Sequence, residues 1–141
     1  MVHATRIRRG VGYQIRIKPR ELALLVKSLS LLLEANRRNP AILGLFRRDA
    51  ANVILSLHAR LAMAVMRLPK GGIKGGPSPR VRLNALNITV SRVALEQLEQ
   101  ELSMRPDLLS PLNPEKAADL AERLRMRLGA YLMRYEASEG D

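Results

Sequence analysis

Two short stretches of the chain alternate between apolar and polar residues, and helical periodicity follows each of them. In YQIRIKPRELALLVKSL the alternation runs through Ile15 and Ile17 and gives way to helical spacing at Pro19, a favoured first helical residue. The predicted strand covers about residues 13–18. The helix after it runs to about Asn36 with an apolar stripe of Leu22, Leu25, Val26, Leu29, Leu32 and Leu33. A loop from Arg37 to Arg48 contains Asn39-Pro40 and Gly44, and Asp49 is placed to cap a second helix. The stripe of that helix is Val53, Ile54, Leu57, Leu61, Ala64 and Val65.

The second alternating stretch is LNITVSRVALEQLEQEL, with Ile88 and Val90 as the inward residues and Ser91 as the helix cap. Leu95, Leu98 and Leu102 form its narrower stripe, with Glu96, Glu99 and Glu101 off it. A proline-containing loop, Met104–Asn113, leads to a last helix opened by Pro114 that buries Leu120, Leu124, Leu128, Tyr131 and Leu132. Set without a gap, Ile15 meets Ile88, Ile17 meets Val90, and Leu22, Leu25 and Leu29 meet Leu95, Leu98 and Leu102. Further on, Ala50–Met66 aligns with Ala117–Met133, so that Arg60-Leu61 meets Arg127-Leu128. Two matches in one order predict an internal duplication. The expected fold is α+β and mainly helical: two strand-helix-helix units, 1–68 and 81–136, joined by a Gly/Pro linker at 69–80. The strands pair in a small antiparallel sheet, and an acidic tail at 137–141 frays.

That placement decides how LPKGGIKGGPSPRVRL, Leu68–Leu83, is read. A phosphate-cradling loop needs a strand before it, Gly-Lys-Ser/Thr at its end and a helix after it. Here a helix precedes, no Gly-Lys-Ser/Thr occurs, and Pro77 and Pro79 oppose a helix. Gly72-Ile73-Lys74-Gly75 matches the two fixed glycines of an RNA-binding GxxG loop, but the same prolines deny it the helix it must open. The stretch reads as a linker able to lay Lys70, Lys74, Arg80 and Arg82 along a phosphate backbone.

Charge sharpens this picture. The chain of 141 residues has a net charge of +11, with 19 arginines against 5 lysines. Residues 1–80 carry 16 Lys/Arg and 3 Asp/Glu, whereas residues 81–141 carry 8 and 10. A basic half beside a mildly acidic half suggests a face for a polyanion or for an acidic protein surface. With no cysteine, disulfides and thiolate metal sites are excluded, and a reducing, cytoplasmic setting is the expectation. MVHATRIRRG lacks the apolar core of a secretory signal, and no apolar run approaches a membrane span. His3 and His58 are too few and too isolated for a histidine metal cluster, and no Gly-x-Ser-x-Gly elbow occurs. The acidic residues of the second half sit where solvated helix faces belong, and Tyr13, Phe46, Tyr131 and Tyr135 are poor material for a base-stacking platform. The expectation is a non-enzymatic protein that acts by binding and needs no cofactor or metal.

In the first strand, Ile15 and Ile17 face the core while Gln14, Arg16 and Lys18 face out. In the second, as read, Asn87, Thr89 and Ser91 face out. Such side chains bond to base edges, and a two-stranded ribbon fits the major groove. Here the chain resembles the ribbon-helix-helix family of DNA-binding repressors, with one chain supplying both units. That resemblance implies base contacts from Gln14, Arg16, Lys18, Asn87, Thr89 and Ser91. It also implies phosphate contacts near Arg47, Arg48 and the backbone at Asp49. The chain departs from that family in a loop of about twelve residues between the helices and in a second strand without a basic residue. Arg6, Arg8, Arg9, Lys70, Lys74, Arg80 and Arg82 complete the expected nucleic-acid surface.

A second reading rests on the helices. Leu55, Met63 and Met66 broaden the apolar face of the second helix, and Leu24 and Leu31 broaden that of the first. Broad, methionine-bearing faces suit a partner protein or a homodimer. In size and composition the chain is also similar to small phage-encoded factors that bind host RNA polymerase, including those of Thermus phages. That resemblance implies docking on RNA polymerase or its sigma factor.

Overall fold

The computed structural model describes residues 12–39, 50–69 and 77–140. Strand β1, Tyr13–Arg16, leads into helix α1, Pro19–Arg38; helix α2, Ala50–Met66, follows. Strand β2, Arg80–Leu83, then leads into α3, Ala85–Met104, and α4, Pro114–Gly140. Among the described residues, four helices and one two-stranded antiparallel sheet make the fold mainly helical. No helix among the described residues is long and apolar enough to cross a membrane.

The first strand and the apolar stripes follow the sequence pattern. Ile15 and Ile17 are buried while Gln14, Arg16 and Lys18 are exposed. Leu22, Leu25, Leu29 and Leu32 of α1, Ile54, Leu57 and Leu61 of α2, and Leu124 and Leu128 of α4 enter one core with Leu95, Leu98 and Leu102 of α3. Helix α1 packs against α2 and α3 against α4, α1 lies against α3, and lighter contacts join α1 to α4 and α2 to α3. Leu24 and Leu31 are 5% and 6% exposed, so the extra breadth of α1 is core rather than partner surface.

The second strand is a correction. Residues 87–90 are helical, and β2 lies seven residues earlier, in Arg80–Leu83, at the end of the stretch read as a linker. Asn84, not Ser91, caps α3: its side chain accepts from the Asn87 amide at 2.7 Å, and the Asn87 side chain accepts from the Asn84 amide at 3.1 Å. That reciprocal cap satisfies two amide donors and commits the β-branched Ile88, Thr89 and Val90 to helix. Thr89 returns its hydroxyl to the Ala85 carbonyl at 3.0 Å. Ile88, Val90 and Ser91 are buried in helix packing. Glu101, expected on a solvated face, is also buried, and Arg105 holds it at 2.6 Å.

With β2 in this place, the strands and the helices that follow them correspond at a spacing of 66 residues, from Pro19 to Ala85 at the helix starts and from Arg38 to Met104 at their ends, and Arg60 of α2 corresponds to Arg127 of α4 at 67. Lys18 and Asn84 are the caps, and Glu21 and Asn87 occupy the third helical position. Ile15 answers to Val81, Ile17 to Leu83, Leu22 to Ile88 and Leu29 to Leu95, all buried. The strand register obeys the same relation: Ile15 pairs with Val81, its own counterpart, while Gln14 pairs with Arg82 and Arg16 with Arg80. This is the reciprocal pattern of a two-fold interface, realised within one chain. The gap-free register that set Ile15 on Ile88 is overturned, because Ile88 is helical.

Candidate nucleic-acid interface

The ribbon formed by β1 and β2 has one buried face and one open face. Ile15, Ile17, Val81 and Leu83 point inward, between 0% and 7% exposed. Their burial contributes on the order of 1.5–3 kcal/mol each, which steadies a pair of strands too short to persist alone. The outward side chains are Gln14, Arg16, Arg80 and Arg82, all exposed. Three guanidiniums and an amide, with no carboxylate among them, thus share one small surface. The register sets them in two rows: Gln14 with Arg82 at one end, Arg16 with Arg80 at the other.

The ribbon's edges are closed from the helices. Ile17 donates its amide to the Pro79 carbonyl at 3.1 Å, so the backbone groups of Ile15 and Tyr13 also turn toward β2. Those of Arg16 and Arg82 therefore turn to the two outer edges. At one edge Arg127, on α4, donates to the Arg16 carbonyl at 3.1 Å and to the Glu21 carboxylate at 3.0 and 3.2 Å. At the other, Arg60, on α2, donates to the Arg82 carbonyl and to the Asn87 side chain at 3.1 Å. Each arginine thus joins a strand edge to the third residue of the helix that follows that strand. These clasps occupy acceptors that would otherwise invite a further strand.

The clasps match in geometry and differ in charge. Arg127 meets a carboxylate that is itself buried, with side-chain exposures of 39% and 4%. Arg60 meets only neutral acceptors, and its guanidinium is pushed below the ordinary value, first by burial and then by the charge of Arg82. It stays cationic at neutral pH.

Gly12 sets the entry to β1. Its φ is +72°, and a Cβ there would lie 2.6 Å from the Leu83 carbonyl oxygen and 2.7 Å from the Asn84 amide. Only glycine allows the chain to pass this close to the end of β2 and the cap of α3. Beside it, the Tyr13 ring lies 5.9 Å from that of Tyr131, and Arg134 lies 4.8 Å over the Tyr131 ring.

Of the expected nucleic-acid residues, the fold brings together Gln14, Arg16, Arg80 and Arg82. Lys18 is exposed just beyond β1, at the α1 cap. Its neighbourhood is a groove floored by Leu24, Leu109 and Leu120 and rimmed by Lys27 and Lys116. Arg6, Arg8, Arg9, Arg47, Arg48, Lys70 and Lys74 lie outside the described residues, as does Asp49. Asn87, Thr89 and Ser91 are not ribbon residues: the first two are partly buried on α3 and Ser91 is fully buried. Arg80 and Arg82 were expected along a linker and instead form the second strand, which therefore does carry basic residues. The clasp residues Arg60 and Arg127 went unassigned in the sequence, although their alignment with each other was visible there. Leu55, Met63 and Met66 are 57%, 51% and 82% exposed on α2.

No protein-family model, no curated protein and no solved structure matches this chain.

Proposed function

We propose that the chain is a non-enzymatic regulator of transcription that binds duplex DNA, with the open face of the β1–β2 ribbon set into the major groove. The observation that carries this reading is the outward quartet of Gln14, Arg16, Arg80 and Arg82 on a ribbon whose other face is buried. Arginine suits the O6 and N7 atoms of guanine and glutamine the N6 and N7 atoms of adenine, and a two-stranded ribbon has the width of the groove. The reciprocal register, and the spacing of 66 residues shared by the strands and the helices that follow them, support an internal duplication, each copy giving one strand to the reading face. The same features support the resemblance to ribbon-helix-helix repressors. The excess of positive charge in residues 1–80 supplies the sequence-independent attraction to phosphate.

The test is fluorescence anisotropy of a labelled random-sequence duplex across a salt series. Binding at micromolar or lower concentration is expected, with a log–log slope of about −0.9 for each phosphate neutralised. No binding even at low salt would end this reading.

A second reading is favoured by the exposure of Leu55, Met63 and Met66 along one side of α2. An apolar, methionine-bearing strip in water suits a protein partner, and in a transcription regulator that partner is RNA polymerase, its sigma factor or a second copy of the chain. Met63→Lys with Met66→Lys removes such docking and leaves duplex binding intact. Lost DNA affinity in that variant, with the fold preserved, would count against separating the two surfaces.

A further inference from the structure

The two ends of the ribbon are built on one plan and do not carry the same side chains. A two-fold relation centred on the Ile15–Val81 pair exchanges Arg16 with Arg82 and Gln14 with Arg80. The first exchange conserves an arginine, whereas the second replaces an amide by a guanidinium. One row therefore offers Gln14 and Arg82, the other Arg16 and Arg80. The clasp behind each row differs as well. At the Gln14–Arg82 row, Arg60 keeps its full charge beside neutral Asn87; at the Arg16–Arg80 row, Glu21 offsets Arg127. The net positive charge is thus the same at both ends and is distributed differently. One end offers a single base-reading cation with a second cation behind it at the ribbon edge, where the phosphate wall of a groove would run. The other end commits both cations to the open face.

From this we infer that the chain recognises an asymmetric duplex site in one orientation. The Arg16–Arg80 row takes a half-site with two guanines, and the Gln14–Arg82 row takes a half-site with a guanine and an adenine. The inference rests on the DNA-binding reading above and specifies its ligand. A well-made bidentate contact discriminates against the wrong base by roughly 5- to 150-fold, so the single Gln14/Arg80 difference is enough to set the orientation.

The experiment is selection of binding sites from a randomised duplex pool by the wild-type chain, by Gln14→Arg and by Arg80→Gln. Both side chains are exposed, so neither variant disturbs the core. The wild type is expected to enrich a site whose two halves differ at one base pair, guanine in one half against adenine in the other. Gln14→Arg is expected to enrich a palindrome with guanine at both positions, and Arg80→Gln a palindrome with adenine at both. Wild-type enrichment of a perfect palindrome would overturn the inference, as would variants that enrich the wild-type site unchanged. Those results differ from failure of the DNA reading itself, in which none of the three proteins retains any duplex.

Discussion

Replacing Arg127 by alanine should cost far more stability than replacing its counterpart Arg60, although both arginines make the same kind of clasp. The Glu21 carboxylate is 3% exposed and accepts three N–H groups, one from the Lys18 backbone at 3.1 Å and two from Arg127. Arg127→Ala leaves that charge buried with the single backbone donor. Breaking a buried ion pair from one side costs about 3–5 kcal/mol. Arg127 is 39% exposed, so water entering its place screens part of the loss, and about 2–3 kcal/mol is the expected figure. Arg60→Ala removes bonds to a carbonyl and an amide at an exposed position, which costs about 1 kcal/mol. In urea titrations followed by far-ultraviolet circular dichroism, with a slope of about 2 kcal/mol/M, the midpoints should fall by about 1–1.5 M and about 0.5 M. The decisive comparison is Arg127→Ala in a Glu21→Gln background. There the penalty should shrink to that of Arg60→Ala, because the stranded charge is gone. An equal penalty in both backgrounds would refute the electrostatic account of this clasp.

Three further outcomes follow from single positions. Gly12→Ala forces a Cβ to within 2.6 Å of a backbone oxygen at a φ of +72° and should destabilise the protein by about 1–3 kcal/mol, read as a lower melting temperature. Ser91→Ala removes a hydroxyl that is fully buried with no hydrogen-bond partner, and should raise the urea midpoint slightly rather than lower it. Glu101 is held below its ordinary carboxyl value of 4.5, first by its hydrogen bond to Arg105, against the opposing effect of burial. The folded state therefore binds this proton less readily than the unfolded chain. The associated stability is present above about pH 4.5 and is lost as pH falls through the lower folded value. Glu101→Gln should flatten that acidic limb, and an unchanged limb in urea titrations between pH 3 and 6 would contradict the assignment.

The sequence pattern went furthest where periodicity alone decides structure. Ile15 and Ile17 against Gln14 and Arg16 define β1, and the leucine stripes define the helices and the core. It went wrong where two alternating stretches competed. Asn87–Val90 is the more strand-like by composition, and Val81 with Leu83 is a faint signal behind Pro77 and Pro79. Two features reversed the choice: the Asn84–Asn87 cap, and a register in which Val81 faces Ile15. Placing β2 seven residues late misplaced half of the outward quartet, and it set Asn87, Thr89 and Ser91 on a ribbon they do not join. The clasps lay beyond any local pattern. Arg127 and Glu21 stand 106 residues apart, and only the folded arrangement shows that the alignment of Arg60 with Arg127 reflects a shared role. Arg80 and Arg82 were expected on a linker and stand instead on a strand.

If the open face of the ribbon meets DNA, as proposed, nuclear magnetic resonance will register the contact at the outward side chains themselves. Isotope-labelled protein would be titrated with a short duplex while the side-chain N–H signals of Arg16, Arg80, Arg82 and Gln14 are followed, together with the methyl groups of Leu55, Met63 and Met66. The ribbon signals should shift and broaden in step with binding while the α2 methyl signals stay still. Binding that moves the α2 methyl groups and leaves the ribbon arginines unchanged would contradict the account.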